Sequence, residues 1–316
     1  MRHDRRVGMA VGHTRVKKRI KGRPTNRQGK PVRTRVYDKT KTLVPMQVLQ
    51  ERRQPNKTIT VSGVSRLSRS RPPNDNVTIT ISTYKASPSY LRKAVESVLS
   101  QTHRKTRAVV ISDGDKEPPW CALDDIRDER LVMYWSRVNR GQFYAHDLAL
   151  RATPDFFFGI QDDDDWSDKR RVERQLDALF SYNADACFSA VRHFDGDRAQ
   201  VKRCAPTKLR GRYRIPPIAL HLGLYRSEAL LSVGGYYGGF RLGYDSLIML
   251  LVAYHGRVAY LGDVLYNRIC RKSSMSRKSD TTFGTEPRTR AYWSLSGIFD
   301  KVKTYPFGPG SARLTK

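Results

Sequence analysis

The chain is 316 residues long and 39% hydrophobic, which gives it one core of roughly 200 to 250 residues with appended segments and excludes a chain disordered throughout. Its 59 Lys and Arg against 30 Asp and Glu leave a net charge of +29, which favours phosphate-rich or anionic partners. Four widely spaced cysteines, Cys121, Cys187, Cys204 and Cys270, contain no Cys-x-x-Cys pair and exclude a zinc knuckle or a disulfide framework.

Most of the charge excess sits at the start. Residues 1–75 hold 21 Lys and Arg against Asp4, Asp38, Glu51 and Asp75, a net of +17, with Tyr37 as their one aromatic. Such a segment buries too little apolar surface to offset its ordering entropy, so it is expected to be largely disordered. Its densest stretch, Arg15-Val-Lys-Lys-Arg-Ile-Lys-Gly-Arg23, suits non-specific contact with nucleic acid or an anionic membrane. It lacks interleaved aromatics for stacking bases, and a solvated extension with neither role is the equal alternative. The longest apolar stretch, residues 247–254, is far shorter than the ~20 residues that span a bilayer. No apolar signal segment opens the chain, so the expectation is a soluble, cytoplasmic protein without a transmembrane segment.

Order is expected from Asn76, after the turn-forming Arg71-Pro-Pro-Asn-Asp75. Residues 77–81 alternate as a strand. Ser87 and Pro88 then offer an N-cap and a first helical position, and Leu91, Ala94, Val95, Val98 and Leu99 share one face of a helix ending near Gln101. Residues 108–111 are a continuous apolar run, as in a parallel strand covered on both faces, and Asp113-Gly114 ends it. A strand at 131–135, a helix opening at Gly141 with Ala145, Leu148 and Ala149, a strand at 156–160 and a helix with Val172, Leu176, Leu179 and Phe180 follow. Beyond them lie a strand at 187–191, a basic proline-containing stretch at 202–217, an apolar segment at 218–225, the glycine-rich residues 233–239 and a helix starting at Asp245.

Strands alternating with helices predict an α/β fold with a mainly parallel sheet and right-handed crossovers. Ligands bind outside the carboxyl ends of such strands. Ser82-Thr83-Tyr84, Ser112-Asp113-Gly114 and Asp162 to Asp165 all fall on that edge.

Gln161-Asp-Asp-Asp-Asp-Trp166 carries the sharpest chemical signal. Four adjacent carboxylates repel one another unless they are solvated or neutralised by a cation. Mg²⁺ or Mn²⁺, which take carboxylate, phosphate and water oxygens, are the natural partners. A solvated acidic turn is the bland alternative. Against it stand the apolar run directly before the aspartates and the basic character of the rest of the chain.

On these residues the sequence resembles the family 2 glycosyltransferases, whose Asp-x-Asp motif ends a central strand in the same manner. Val77-Thr-Ile-Thr-Ile-Ser-Thr-Tyr84 and Ala94-Val-Glu-Ser-Val-Leu-Ser-Gln-Thr102 are similar to that family's opening strand and helix. Ile111-Ser-Asp-Gly114 resembles its Asp-Asp-Gly turn, Asn139-Arg-Gly141 the segment before its acidic motif, and Val233-Gly-Gly235 and Gly243-Tyr-Asp245 its later elements. The resemblance implies a GT-A-type, Rossmann-like mixed sheet flanked by helices over 76–275, followed by a basic, partly helical extension over 276–316.

It also implies roles. Thr83 and Tyr84 border the nucleoside, Asp113 hydrogen-bonds the nucleobase, and Arg140, Asp162 and Asp163 belong to the nucleotide-sugar site. Asp162 and Asp164 hold Mn²⁺ or Mg²⁺, and Asp245 is the acceptor-side base of an inverting displacement. The donor is then a nucleotide sugar and the acceptor a glycan, protein or nucleic acid. Simpler readings stand beside these: strand-end packing for Thr83 and Tyr84, a turn carboxylate for Asp113 and a first-turn acid for Asp245; for His221 the readings are a place facing the acceptor cleft and, preferred, a satisfied structural histidine. The sequence departs from the family at Ser82, Lys85, Ser112 and Tyr244, and Cys270-Arg271 stands where many relatives carry a histidine, so no third protein ligand to the metal is visible. Arg268 and Arg271 are further candidates for diphosphate contact. The alternatives are a nucleic-acid-binding protein with an inactive core, or a nucleotidyltransferase, which the lack of a glycine-rich, lysine-bearing phosphate loop near the first strand disfavours.

Overall fold

A computed structural model describes residues 71–203, 220–236, 239, 241–271, 274, 277 and 284–302. The expectations for residues 1–70, for most of the basic stretch at 202–217, for the start of the segment at 218–225 and for Cys204 lie outside the described residues.

The first half of the sheet is parallel. Strands β1 (Val77–Thr83), β2 (Thr106–Asp113), β3 (Leu131–Ser136) and β4 (Phe157–Asp162) lie in the order β3-β2-β1-β4. Helices α1 (Pro88–Leu99), α2 (Gln142–Ala152) and α3 (Arg171–Ser181) cover its two faces. Strand alternation divides the core accordingly. Ile79 and Ile81 of β1, Ala108 and Val110 of β2 and Phe157 of β4 pack with Leu91, Val95 and Val98 of α1 and Val172, Leu176 and Leu179 of α3. Val109, Ile111, Phe158 and Ile160 point the other way, into a cluster with Phe143 and Ala149 of α2.

The second half is mixed. Strand β5 (Trp166–Ser167) is a two-residue piece, β6 (Ala186–Asp195) and β7 (Arg198–Lys202) form an antiparallel hairpin, and β8 (Gly223–Arg226) pairs antiparallel with both β4 and β6. The long β9 (Val258–Ile269) runs parallel to β6 and antiparallel to β5. Helices α4 (Ser227–Ser232), α5 (Tyr244–His255) and α6 (Glu286–Val302) complete the described fold. Leu247, Ile248 and Leu251 of α5 and Leu295 of α6 join the α2-side cluster, so the expected helical part of the C-terminal extension is part of the core.

Two boundaries differ from the sequence reading. Phe156 is 50% exposed and lies outside β4, its carbonyl accepting the Ser227 N–H at 2.9 Å. At the other edge, Asp75 is buried against Arg71 (2.5 Å), His103 (3.2 Å) and Lys105 (3.0 Å), so residues 71–75 pack on the domain rather than belonging to a free tail.

Register is what assembles the site. Thr83 pairs with Ser112, Ser82 with Asp162 and Asp113 with Ser136, so the ends of β1 to β4 finish level at one edge.

Candidate active site

The acid run leaves β4 and turns at once, the Asp165 N–H donating to the Asp162 carbonyl at 3.3 Å. Its floor is a network of buried polar side chains. The hydroxyl of Tyr266, on β9, accepts the Asp162 N–H at 3.0 Å and Gln161 Nε2 at 3.2 Å. Ser167 Oγ donates to Gln161 Oε1 at 2.6 Å. Beneath both lies Arg171, 1% exposed, whose guanidinium donates to the carbonyls of Ile160 (3.1 Å), His221 (2.7 Å) and Gly223 (3.2 Å) as well as to Gln161, Ser167 and Gln175. Every one of these hydrogen bonds goes to a neutral group. Arg171 thus ties β4, α3 and the approach to β8 together and brings a buried positive charge behind Asp162. Trp166 fixes the far side of the turn, stacked on Phe194 at 5.1 Å and capped by Lys93 Nζ 3.1 Å from its ring centroid.

The four carboxyls are not neutralised by this floor. Burial pushes Asp162 up, with Arg268, Arg171 and Arg271 pulling the other way. Asp163 is pushed up to about 7 by burial and then by the charge of Asp164, against the Thr83 hydroxyl beside it. Burial and Asp162 raise Asp164, and burial with both Asp162 and Asp164 holds Asp165 well above the usual range. Asp165 Oδ1 accepts the Ile269 N–H at 2.8 Å, whereas its Oδ2 is buried without a partner.

His221, which the sequence left as a structural histidine, completes the arrangement. Its Nδ1 lies 3.4 Å from Asp162 Oδ2, its ring tilts against Tyr266 at 4.9 Å, and burial, with Arg268 and Arg171, keeps it neutral. Its Nε2 is buried without a partner. Asp162, Asp165 and His221 offer ligand atoms all within 4.8 Å of one another. Two carboxylates and a neutral imidazole suit a divalent cation, and the orphaned oxygen on Asp165 and the raised carboxyls are what such a cation would relieve. Asp164, for which the resemblance implies a ligand's role, has its Oδ2 paired with Arg271 Nη2 at 2.5 Å.

The remaining candidates surround this cluster. Asp245 sits in the first turn of α5, pushed up by burial and further by the charge of Asp162, with the Ser246 N–H and Arg288 of α6 pulling down. Thr83 is buried at the end of β1, and Tyr84 is 46% exposed with Lys85 Nζ 5.1 Å from its ring.

Asp113 serves its own loop. It is buried, and its carboxylate accepts the N–H of Arg140 at 3.0 Å and of Gly141 at 2.7 Å, while its carbonyl accepts Asn139 Nδ2 at 2.7 Å. Its carboxylate thus holds the entry of α2, at the position where the resemblance implies a nucleobase contact. The Arg140 side chain turns to Tyr144, donating to its hydroxyl at 3.0 Å and lying 4.9 Å over its ring. Asp115 was missed by the sequence reading. Its carboxylate accepts the Lys85 N–H at 2.9 Å and Ser112 Oγ at 2.8 Å, joining the ends of β1 and β2, and the acid repeated two residues after Asp113 was the available signal.

Comparison with known proteins places this geometry. Residues 78–233 match glycosyl transferase family 2. Glycosyltransferase GlyA of Streptococcus pneumoniae is 28% identical over 114 residues, 35% of this chain and 16% of GlyA. S. aureus TarS in complex with UDP superposes with a TM-score of 0.52 at 16% identity, over 62% of this chain and 61% of that one. GalNAc-T7 with UDP, GalNAc and Mn²⁺ gives 0.56 at 13% identity, over 72% and 50%. These two likenesses show a shared GT-A fold. The chain spans less than half the length of the curated relatives it matches.

Proposed function

We propose, for a chain that belongs to glycosyl transferase family 2 through residues 78–233, the transfer of a sugar from a nucleoside-diphosphate sugar to an acceptor hydroxyl. The observation that carries this reading is the grouping of Asp162, Asp165 and His221, whose ligand atoms lie within 4.8 Å of one another, with Asp165 Oδ2 buried and unpartnered. At Asp162 β4 ends on the same edge as β1 and β2, where an open α/β sheet takes its ligands.

Asp162, Asp165 and His221 would hold a divalent cation, Mn²⁺ or Mg²⁺, with Asp164 beside them. When bound, the cation offsets the charge gathering on the departing diphosphate. Asp163, near Thr83, borders the donor side. Asp245 takes the acceptor proton: a carboxyl raised by burial and by Asp162 is a better proton acceptor than a free one. An acceptor oxygen that bonds to the anomeric carbon from the side opposite the departing diphosphate would invert that carbon. The relatives support the choice of donor probe, since TarS has been crystallised with UDP and with UDP-GlcNAc and GalNAc-T7 with UDP and Mn²⁺.

The test is turnover of a panel of nucleotide sugars, as hydrolysis or transfer, with Mn²⁺ and with EDTA. Asp245→Asn should lower kcat by about 100-fold or more while leaving donor affinity close to wild type, as expected for a lost general base. Turnover that survives both EDTA and Asp245→Asn would refute the reading.

A further inference from the structure

Arg271 occupies a position that the proposed function leaves unexplained. The Ile269 N–H on Asp165 Oδ1 (2.8 Å) and the Cys270 N–H on the Phe194 carbonyl (2.7 Å) fix the exit of β9, and the next residue is thereby delivered onto the acid run. There Arg271 Nη2 lies 2.5 Å from Asp164 Oδ2, and the guanidinium sits 6.0 Å from the ring centroid of Tyr90 on α1. The Asp164 side chain is only 12% exposed, so this contact is its main source of positive charge. One donor of the guanidinium is unused: Arg271 Nε is buried and has no hydrogen-bond partner.

Two physical facts bear on this arrangement. A guanidinium and a divalent cation compete for the same carboxylate oxygen, because each needs its lone pairs and repels the other. A guanidinium is also a planar fork that binds phosphate oxygens through two parallel N–H donors. A fork with one edge on a metal-site aspartate and a buried Nε donor still to be satisfied is built to change partners.

We infer that Arg271 is a displaceable counter-ion: it holds Asp164 in the free protein, yields that carboxylate to the divalent cation, and turns its Nε–Nη edge to the diphosphate of the donor. This rests on the function proposed above. It makes Arg271 a binding residue whose removal has effects of opposite sign on the two ligands. Loss of the guanidinium frees Asp164 and strengthens binding of the cation alone. The same loss removes two donors to phosphate and weakens the nucleoside diphosphate.

The experiment measures Mn²⁺ binding alone, by electron paramagnetic resonance, and binding of UDP, GDP, ADP, CDP and dTDP with Mn²⁺ present, by calorimetry. The proteins are wild type, Arg271→Met and Arg271→Lys, all full length and with their thermal midpoints recorded. For Arg271→Met the expected result is several-fold tighter Mn²⁺ and about tenfold weaker binding of whichever nucleotide wild type binds best. Arg271→Lys keeps the charge and loses the fork, so it should hold Mn²⁺ near the wild-type affinity and still bind the nucleotide more weakly. Mn²⁺ affinity that is unchanged or lower in Arg271→Met overturns the exchange, and so does an unchanged nucleotide affinity. Failure of wild type to bind Mn²⁺ and every nucleotide is a different result, which removes the proposed function and this inference with it.

Discussion

Arg171 shows how a single side chain sets the site. Its guanidinium closes three carbonyls, at Ile160, His221 and Gly223, from 1% exposure. A buried acceptor that loses its donor costs about 1–3 kcal/mol, so Arg171→Met should lower the unfolding free energy by about 3 kcal/mol or more in a urea titration. Lysine cannot reach three diverging carbonyls and should rescue little. Nothing at position 171 itself announces this role, because an arginine opening an amphipathic helix reads as a solvated charge; the one clue is Gln175, polar on the apolar face with Val172, Leu176 and Leu179. A second residue-scale prediction follows from Asp163. Its carboxyl, raised to about 7, keeps a proton in the folded state that the unfolded chain releases near pH 4. Ionising it therefore costs the fold stability as pH rises from about 4 to about 7. A divalent cation needs the ionised run, so the rise in thermal midpoint produced by Mn²⁺ should grow between about pH 5.5 and about pH 7.5. A rise independent of pH over that range contradicts the assignment of the cation to these carboxyls.

At the scale of elements, β1 to β4 and α1 to α3 were legible because their burial is written as periodicity. Ile79 and Ile81 alternate with threonines, residues 108–111 of β2 are continuously apolar, and the helices keep one face. β9 was not legible, although it is among the longest strands: Gly262, Asp263, Asn267 and Arg268 interrupt its pattern, and it is held by pairing with β6 and β5 rather than by an apolar stripe. The turn after β2 offers a test of how these elements meet. Gly114 has φ +103, and a Cβ there would lie 2.5 Å from the Cβ of Asn139. Gly114→Ala should therefore push the turn off the loop that enters α2, destabilise the protein by about 1–3 kcal/mol, and weaken nucleotide binding with the acid run intact. Calorimetry with a nucleoside diphosphate, beside the urea titration, reads both effects; unchanged affinity would mean that this loop does not shape the donor site.

For the molecule as a whole, the edge where β1 to β4 end together was readable from sequence. The grouping of side chains on it was not. The resemblance implies Asp162 with Asp164 as the metal pair; the fold pairs Asp164 with Arg271 and gathers Asp165 and His221, from a segment distant in sequence, beside Asp162. The antiparallel pairing of β8 with β4 and β6, and the Arg171 bond to the His221 carbonyl, bring His221 to that place. A divalent cation held by this cluster should be visible in calorimetric titration of Mn²⁺ into wild type and Asp162→Asn. One saturable site in wild type, lost in Asp162→Asn with the thermal midpoint of the metal-free protein preserved, is the predicted result. Equal Mn²⁺ binding by the two proteins would contradict it.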